Sequence, residues 1–128
     1  MIRCVSLLLA ACALPLLPLA AQAQAARPFP ANALRGELQV TQPPEVLLNG
    51  QATRLAPGAR IRGANNLMQL SGTLVGLRLT VHYTVDPSGL VLDVWILTPE
   101  ERARQPWPTT AAQAAAWTYD PSTQTWSR

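Results

Sequence analysis

The chain of 128 residues has ten basic and seven acidic side chains, which gives a net charge of +3 at pH 7. All ten basic residues are arginines, and together with the many alanines and prolines this bias is typical of a GC-rich genome. So small a charge does not favour a nucleic-acid partner. The length suffices for one domain.

The first 23 residues have the three parts of a secretory signal peptide. Arg3 provides a positive start, residues 5 to 21 are apolar, and residues 21 to 23 (Ala-Gln-Ala) form a small-x-small cleavage site. Pro15 and Pro18 interrupt the apolar stretch, which disfavours a membrane-spanning helix. We therefore predict export to the periplasm and removal of residues 1 to 23.

A second motif leaves the mode of export open. Residues 9 to 12, Leu-Ala-Ala-Cys, resemble the lipobox at which bacterial lipoproteins are cut and acylated on cysteine. Cleavage before Cys12 would anchor the protein to a membrane, and we expect membrane association only in that case. Cleavage after residue 23 would remove both Cys4 and Cys12. The mature chain would then have no disulfide, thiol nucleophile or cysteine-ligated metal.

Alternation of apolar and polar residues predicts an antiparallel β domain over residues 34 to 98. Residues 24 to 33 contain two prolines and no periodicity, which is typical of a flexible leader. Residues 34 to 41 and 77 to 85 alternate as half-buried strands. Residues 90 to 97 are almost wholly apolar, which indicates a strand buried on both faces.

Two hairpins are marked by their turn residues. Asn49-Gly50 lies between apolar runs and predicts a tight hairpin, because both turn residues must adopt positive φ. Residues 86 to 89, Asp-Pro-Ser-Gly, predict a type I turn closed by a glycine. With the turn at that place, Asp93 is expected opposite Tyr83.

The remaining segments complete a prediction of about six strands. Ala-Pro-Gly at 56 to 58 predicts a turn between two short strands. Residues 67 to 74 predict another strand, which presents Met68, Leu70 and Leu74 on one face. The fold expected is mostly β, a small antiparallel sheet or partly closed barrel.

Residues 99 to 128 predict a short helix and a tail rich in tryptophan. Thr98 suits the N-cap, Pro99 the first helical position, and Glu101 completes a capping box. A second short helix is predicted over residues 111 to 116. Aromatic residues on both sides of residues 121 to 124 predict a small C-terminal hairpin.

Three stretches resemble known proteins. Residues 81 to 97 resemble the hairpin in the C-terminal domain of TonB-type energy transducers, and residues 119 to 126 resemble the hairpin of a single kelch repeat. The chain from its leader through Thr98-Pro99-Glu100-Glu101 is similar to small uncharacterised exported proteins of GC-rich Gram-negative bacteria. That resemblance implies a periplasmic location and no particular activity.

Motifs for catalysis, metals and cofactors are missing from the sequence. His82 is the single histidine and cannot form a zinc site without other strong ligands. No Gly-x-Ser-x-Gly nucleophile motif, phosphate loop or calcium loop is present. We predict no enzyme activity and no cofactor, and the alternative is an enzyme of unrecognised type that uses Asp93 and His82.

Aromatic and arginine side chains are the candidate binding residues, because exposed aromatics mark ligand or partner sites and guanidinium groups bind anions. The alternative for the aromatics is that they complete a small core. The candidates are Trp95, Trp107, Trp117, Tyr119, Trp126, Arg54, Arg60, Arg62 and Arg78.

From these residues we predict a non-enzymatic periplasmic binding or adaptor module. Its expected partner is a protein or an envelope component such as peptidoglycan or a lipid headgroup. The alternative is a structural envelope protein, lipid-anchored through Cys12.

Overall fold

Alternating apolar residues produce the strands of the main sheet, as the sequence pattern predicts. The computed structural model describes residues 26 to 128, so the predicted signal peptide and Cys12 lie outside the described residues. The six strands of the main sheet are β1 (Leu34–Gln42), β2 (Glu45–Leu48), β3 (Gln51–Arg62), β4 (Met68–Gln69), β5 (Arg78–Val85) and β6 (Val91–Ile96).

Five of these strands close into a barrel. β1 pairs antiparallel with β2 and β5, β2 with β3, and β5 with β6, while a parallel pairing of β3 with β6 closes the ring. β4 adds two residues at the outer edge of β3. The mostly β prediction is confirmed. The parallel pairing of β3 with β6 departs from a purely antiparallel sheet.

The barrel interior is filled by the predicted inward side chains. Leu38 and Val40 of β1 are fully buried with Val81 of β5 and Val94 of β6. They pack in one apolar cluster that also contains Val46, Leu55, Ile61, Leu74, Tyr83 and Val91. Burying this apolar surface is the main favourable contribution to folding of the barrel.

Asn49-Gly50 and Gly89 form the predicted turns. Asn49 has φ of 52° and Gly50 φ of 80°, which are the positive values that this hairpin requires. Gly89 also lies in the left-handed region, with φ of 87°. Asp86 closes its turn because its Oδ1 accepts hydrogen bonds from the Ser88 and Leu90 backbone amides.

The predicted turn at residues 56 to 58 is wrong, because β3 continues through it. The register with β6 instead slips there, since Leu55 pairs with Val91 and the next paired residue, Arg60, pairs with Asp93. Pro57 has no amide hydrogen to donate, and Gly58 has φ of 79°. A bulge absorbs both residues and bends the strand.

The predicted strand over residues 67 to 74 forms only in part. Met68–Gln69 pairs with β3, and Ser71–Leu74 is a 3₁₀ turn. Leu74 is buried in the barrel core, whereas Met68 and Leu70 are exposed. The expected common apolar face of these three residues is therefore absent, because the 3₁₀ turn breaks the alternation of a strand.

A second core covers part of the outside of the barrel. The elements that follow β6 are α1 (Pro99–Ala103), α2 (Ala111–Ala116), β7 (Thr118–Asp120) and β8 (Thr125–Ser127). Thr98 and Glu101 form the predicted capping box of α1. The second core consists of Phe29, Ala33, Leu97, Trp107 and Trp126, with Trp95, Ala114, Trp117 and Tyr119 packed against it.

The prediction of a flexible leader over residues 24 to 33 is wrong for residues 26 to 33, which pack against the rest of the protein. Phe29 and Ala33 are buried in the second core. The backbone amide of Phe29 donates to Gln124 Oε1, and the Tyr119 hydroxyl donates to the Phe29 carbonyl. These partners lie about 90 residues away in the chain, which is why local periodicity did not indicate them.

Arg27 anchors the same segment through a buried ion pair. Its guanidinium donates to both carboxylate oxygens of Glu101, at 3.0 and 2.6 Å, and to the carbonyls of Gly63 and Ile96. The two side chains are only 12% and 7% exposed. Burial by itself raises the pKa of Glu101, but hydrogen bonds from Arg27 and Thr98 outweigh it, and the net pKa is lowered.

Removing Arg27 should destabilise the fold strongly. We expect Arg27→Met to lower the free energy of unfolding by about 3 kcal/mol, because the Glu101 carboxylate stays buried without its partner. Adding Glu101→Gln should recover most of the loss, since the glutamine still caps the helix. Urea titration followed by circular dichroism measures both changes.

Arg54→Met is the matched control. Arg54 and Glu45 also form an ion pair at 2.6 Å, but their side chains are 63% and 43% exposed. Its loss should cost at most about 1 kcal/mol. Equal destabilisation by Arg27→Met and Arg54→Met would contradict the structural role of the buried pair.

Candidate functional site

A cleft opens on the surface of the second core. It has a volume of about 680 Å³. Strand β1, the segment before α2, α2 itself and the C-terminal strand all contribute to it. We call it the tryptophan cleft, and its lining residues are Arg35, Gln105, Pro106, Trp107, Thr109, Gln113, Trp117, Trp126, Ser127 and Arg128.

Trp107 forms the buried wall of this cleft. Its indole Nε1 donates to the Ala33 carbonyl at 3.0 Å. The ring stacks on His82 of β5, with centroids 4.1 Å apart and an angle of 24° between the planes. Phe29 and Trp126 pack against Trp107 at steep angles, at 5.9 and 6.1 Å. Trp107 is thereby held rigidly against the barrel.

The cleft is cationic, because two arginines and no carboxylate side chain line it. Arg35 lies beside Trp107, with its guanidinium carbon 5.7 Å from the ring centroid. It donates to the carbonyls of Glu101 and Arg102 and forms no ion pair among the described residues. Arg128 lies over Trp117 at 5.3 Å.

Burial lowers the pKa of Arg35, and the nearby charge of Glu101 opposes that shift. An arginine with an ordinary pKa above 12 remains charged at physiological pH in spite of such a shift. Arg35 therefore supplies a positive charge in a partly desolvated setting, where charge–charge attraction is stronger than in water.

Several buried polar atoms around the second core have no hydrogen-bond partner among residues 26 to 128. They are Arg35 Nε, His82 Nδ1, Arg104 Nη1 and Trp126 Nε1. Three of the four are N–H donors of arginine or tryptophan. Two of these donors, on Arg35 and Trp126, belong to residues of the cleft lining. The unpartnered buried atoms around the second core are therefore mostly donors.

The predicted aromatic residues meet in this region, although not all of them line the cleft. Trp107, Trp117 and Trp126 do. Tyr119 supports Trp126 from behind, with ring centroids 4.9 Å apart. Trp95 packs against Phe29 at 5.7 Å, in the second core. The tryptophans thus serve both as core and as cleft wall.

The four predicted arginines do not join the tryptophan cleft. Arg54 pairs with Glu45 and Arg60 with Asp93, while Arg78 lies 3.9 Å from Glu37. Arg62 forms no ion pair with a described residue. Carboxylates on neighbouring strands therefore neutralise Arg54 and Arg60, because cross-strand neighbours of opposite charge attract. The long contact of Arg78 and the lack of an ion pair at Arg62 among the described residues leave these two charges available.

The cationic residues of the cleft were missed at the sequence level. Arg35 lies on the polar face of the alternating stretch that predicts β1. Arg128 is the last residue of the chain and belongs to no periodic pattern. The one available signal for Arg35 was its position on the polar face of a strand, which does not distinguish a solvated side chain from a covered one.

His82 and Asp93 do not form a catalytic pair in this fold. Asp93 accepts from Arg60 at 3.1 Å, and its other oxygen lies 3.4 Å from the Thr84 hydroxyl. The expected pairing of Asp93 with Tyr83 is wrong, since Val94 lies opposite Tyr83 and the register slips beyond it. His82 is only 1% exposed.

The environment of His82 keeps it neutral. The pKa of His82 is lowered to about 3. Burial is the main cause, and the positive charges of Arg35, Arg27 and Arg104 contribute to the same shift. Phe29 meets the imidazole edge-on at 4.6 Å on one side, and Trp107 stacks on it. A neutral ring is thus the form that fits between these two aromatic residues.

Within residues 26 to 128, no group of three or more His, Cys, Asp and Glu residues is placed to hold a metal ion. No helix of this described part is long and apolar enough to cross a membrane. Comparisons with protein-family models, curated proteins and solved structures found no match. Inference about function therefore depends on the geometry of the site.

Acidification should destabilise the protein through His82. The unfolded histidine binds a proton below about pH 6.5, whereas the folded one remains neutral down to about pH 3. We expect the free energy of unfolding to fall by about 2 kcal/mol between about pH 7.5 and about pH 5.0. Urea titrations at the two pH values measure this change.

His82→Phe is the control for that pH effect. Phenylalanine preserves an aromatic ring between Phe29 and Trp107 and removes the titrating group. The free energy of unfolding should then vary little over the same pH range, because His82 is the chain's single histidine. An undiminished pH dependence in this variant would rule out His82 as its source.

Proposed function

We propose that the protein is an exported, non-enzymatic binding module that recognises a carboxylate-bearing glycan of the cell envelope, such as a peptidoglycan fragment. The observation that carries this proposal is the tryptophan cleft, whose lining contains two guanidinium groups and three indole rings and no carboxylate side chain. A protein partner would be the alternative occupant of the same surface.

The side chains of the cleft suit the parts of such a ligand. Guanidinium groups bind carboxylates through charged, often bidentate, hydrogen bonds. Indole rings offer flat apolar faces to the apolar side of a sugar ring. The amides of Gln105 and Gln113 can both donate to and accept from hydroxyl groups. A volume of about 680 Å³ falls within the range of small-ligand sites.

The surroundings of His82 and Asp93, the two candidate catalytic residues, support a function without catalysis. His82 is covered by aromatic rings and stays neutral. Asp93 is engaged by Arg60 and Thr84. Neither residue lines the cleft. Binding by rigid arginine and tryptophan side chains requires no reacting group.

Variants at the more exposed residues of the cleft should weaken glycan binding. Trp117 is only partly buried and Arg128 is exposed, so we expect Trp117→Ala and Arg128→Gln to leave the fold intact. Each should raise the dissociation constant at least about tenfold, since a charged hydrogen bond or an aromatic contact contributes roughly 1.5 kcal/mol. Isothermal titration with a soluble disaccharide-peptide fragment of peptidoglycan measures it.

The control variant is Arg54→Gln, because Arg54 is an exposed arginine outside the cleft. It should bind the fragment as the unchanged protein does. The same fragment with amidated carboxyl groups should bind at least about tenfold more weakly. Failure of the unmodified fragment to bind, or equal losses in Arg54→Gln and Arg128→Gln, would contradict the proposal.

We further propose that cleavage after residue 23 releases a periplasmic protein, as the signal-like segment indicates. Mass spectrometry of the protein from a bacterial envelope should find Gln24 at the N-terminus. Cys12→Ser should leave its amount and fractionation unchanged. An acylated Cys12 at the N-terminus would instead establish the lipid-anchored alternative.

A further inference from the structure

One end of the barrel is closed by a segment with unusually exposed apolar side chains. This segment runs from the end of β3 to the start of β5. Leu74 points into the barrel core, where it packs with Val40 and Val81. Five other large apolar side chains of the segment face solvent, and we call them the apolar tip: Leu67, Met68, Leu70, Val75 and Leu77.

Each side chain of the apolar tip has a large exposed fraction. Leu70 is 77% exposed, Leu67 63% and Met68 56%, while Val75 and Leu77 are about half exposed. Elsewhere in the described chain, Val85 is the remaining large apolar residue of this kind. Single exposed apolar residues are common, but a concentration of five within eleven residues marks a surface that binds something apolar.

The composition of the segment fits a bilayer. Residues 63 to 77 contain neither a charged residue nor an aromatic residue. The hot spots of protein interfaces are enriched in Trp, Tyr and Arg. The middle of this segment is instead aliphatic, and its insertion at the boundary of headgroups and acyl chains would remove this apolar surface from water.

Positive charge flanks the tip at both ends. Arg62 pairs in register with Met68, and it forms no ion pair with a described residue. Arg78 follows Leu77 directly, its side chain is 75% exposed, and its contact with Glu37 is long, at 3.9 Å. Arginines beside an aliphatic tip complement the negative surface of a membrane that contains anionic lipids.

We propose that the apolar tip inserts into the interface of an anionic lipid bilayer, with Arg62 and Arg78 at the headgroups. This contact goes beyond glycan binding and needs no lipid on Cys12. The tip and the tryptophan cleft share no residue, so the protein has separate surfaces for the bilayer and for the glycan.

A fluorescent label on the tip tests this insertion directly. The protein of residues 24 to 128 contains no cysteine, and it includes all residues of both cores. Leu70→Cys therefore provides one attachment point for an environment-sensitive dye. With vesicles of phosphatidylethanolamine and phosphatidylglycerol, its emission should shift to the blue. The matched control is Val85→Cys, an exposed apolar position outside the tip, whose emission should not shift.

Vesicle co-sedimentation then separates the apolar and the electrostatic contributions. Leu70→Gln should weaken binding about tenfold, while Val85→Gln leaves it unchanged. Arg62→Gln should weaken binding to the anionic vesicles about fivefold and have little effect on vesicles of phosphatidylcholine alone. Arg128→Gln, which changes the tryptophan cleft and not the apolar tip, should bind vesicles as the unchanged protein does. Vesicle binding therefore tests the apolar tip independently of the glycan proposal.

Three results would overturn the proposal. One is an unshifted label at position 70 with anionic vesicles. Another is a blue shift without vesicles that grows with protein concentration and accompanies dimers in analytical ultracentrifugation, because a second copy would then cover the tip. The third is loss of vesicle binding in Arg128→Gln, which would assign headgroup recognition to the cleft.

Discussion

The stacking of Trp107 on His82 is the contact on which the rest of the structure depends. Trp107 belongs to the segment after the barrel and His82 to a central barrel strand, so their stack attaches the tail to the β domain. The Ala33 carbonyl accepts from the same indole, which adds the N-terminal segment. Without this contact, the second core would lose its centre and the tryptophan cleft its wall.

A disulfide-free domain of this size gains stability from such a second core. A chain of about 100 residues buries a limited fraction of its surface, and small exported domains often compensate with disulfides. Here the aromatic residues of the two chain ends cover the outside of the barrel, and the Arg27–Glu101 pair ties those ends together. The tryptophans therefore contribute both to stability and to the lining of the tryptophan cleft.

The distribution of charge explains why the cleft, and not the sheet, is the cationic site. Arg54, Arg60 and Arg78 lie on strands, where acidic side chains of neighbouring strands come within reach. Arg35 is covered by the tail, and its guanidinium bonds to backbone carbonyls instead of carboxylates. Its charge is therefore not neutralised by a carboxylate side chain, whereas Arg54 and Arg60 on the strands are each paired with one.

Local sequence patterns were sufficient for the strands and turns with strong periodicity or turn chemistry. The alternation in β1 and β5, the Asn49-Gly50 hairpin and the Thr98–Glu101 capping box all appear where they were expected. Pro57-Gly58 led to the wrong prediction of a turn, because proline and glycine are typical of β-bulges as well as of turns. The strand predicted across residues 67 to 74 failed because Ser71–Leu74 forms a 3₁₀ turn, which buries Leu74 and ends the alternation.

The sequence alone determined the mostly β class, the inward faces of the strands and the aromatic character of the tail, because these depend on residues close together in the chain. Only the tertiary structure decided which tryptophans are covered, which arginines are neutralised and where the cleft lies. Those outcomes depend on contacts such as Arg27 with Glu101, 74 residues apart. Pairings over such distances follow from how the barrel closes, and local periodicity has no information about them.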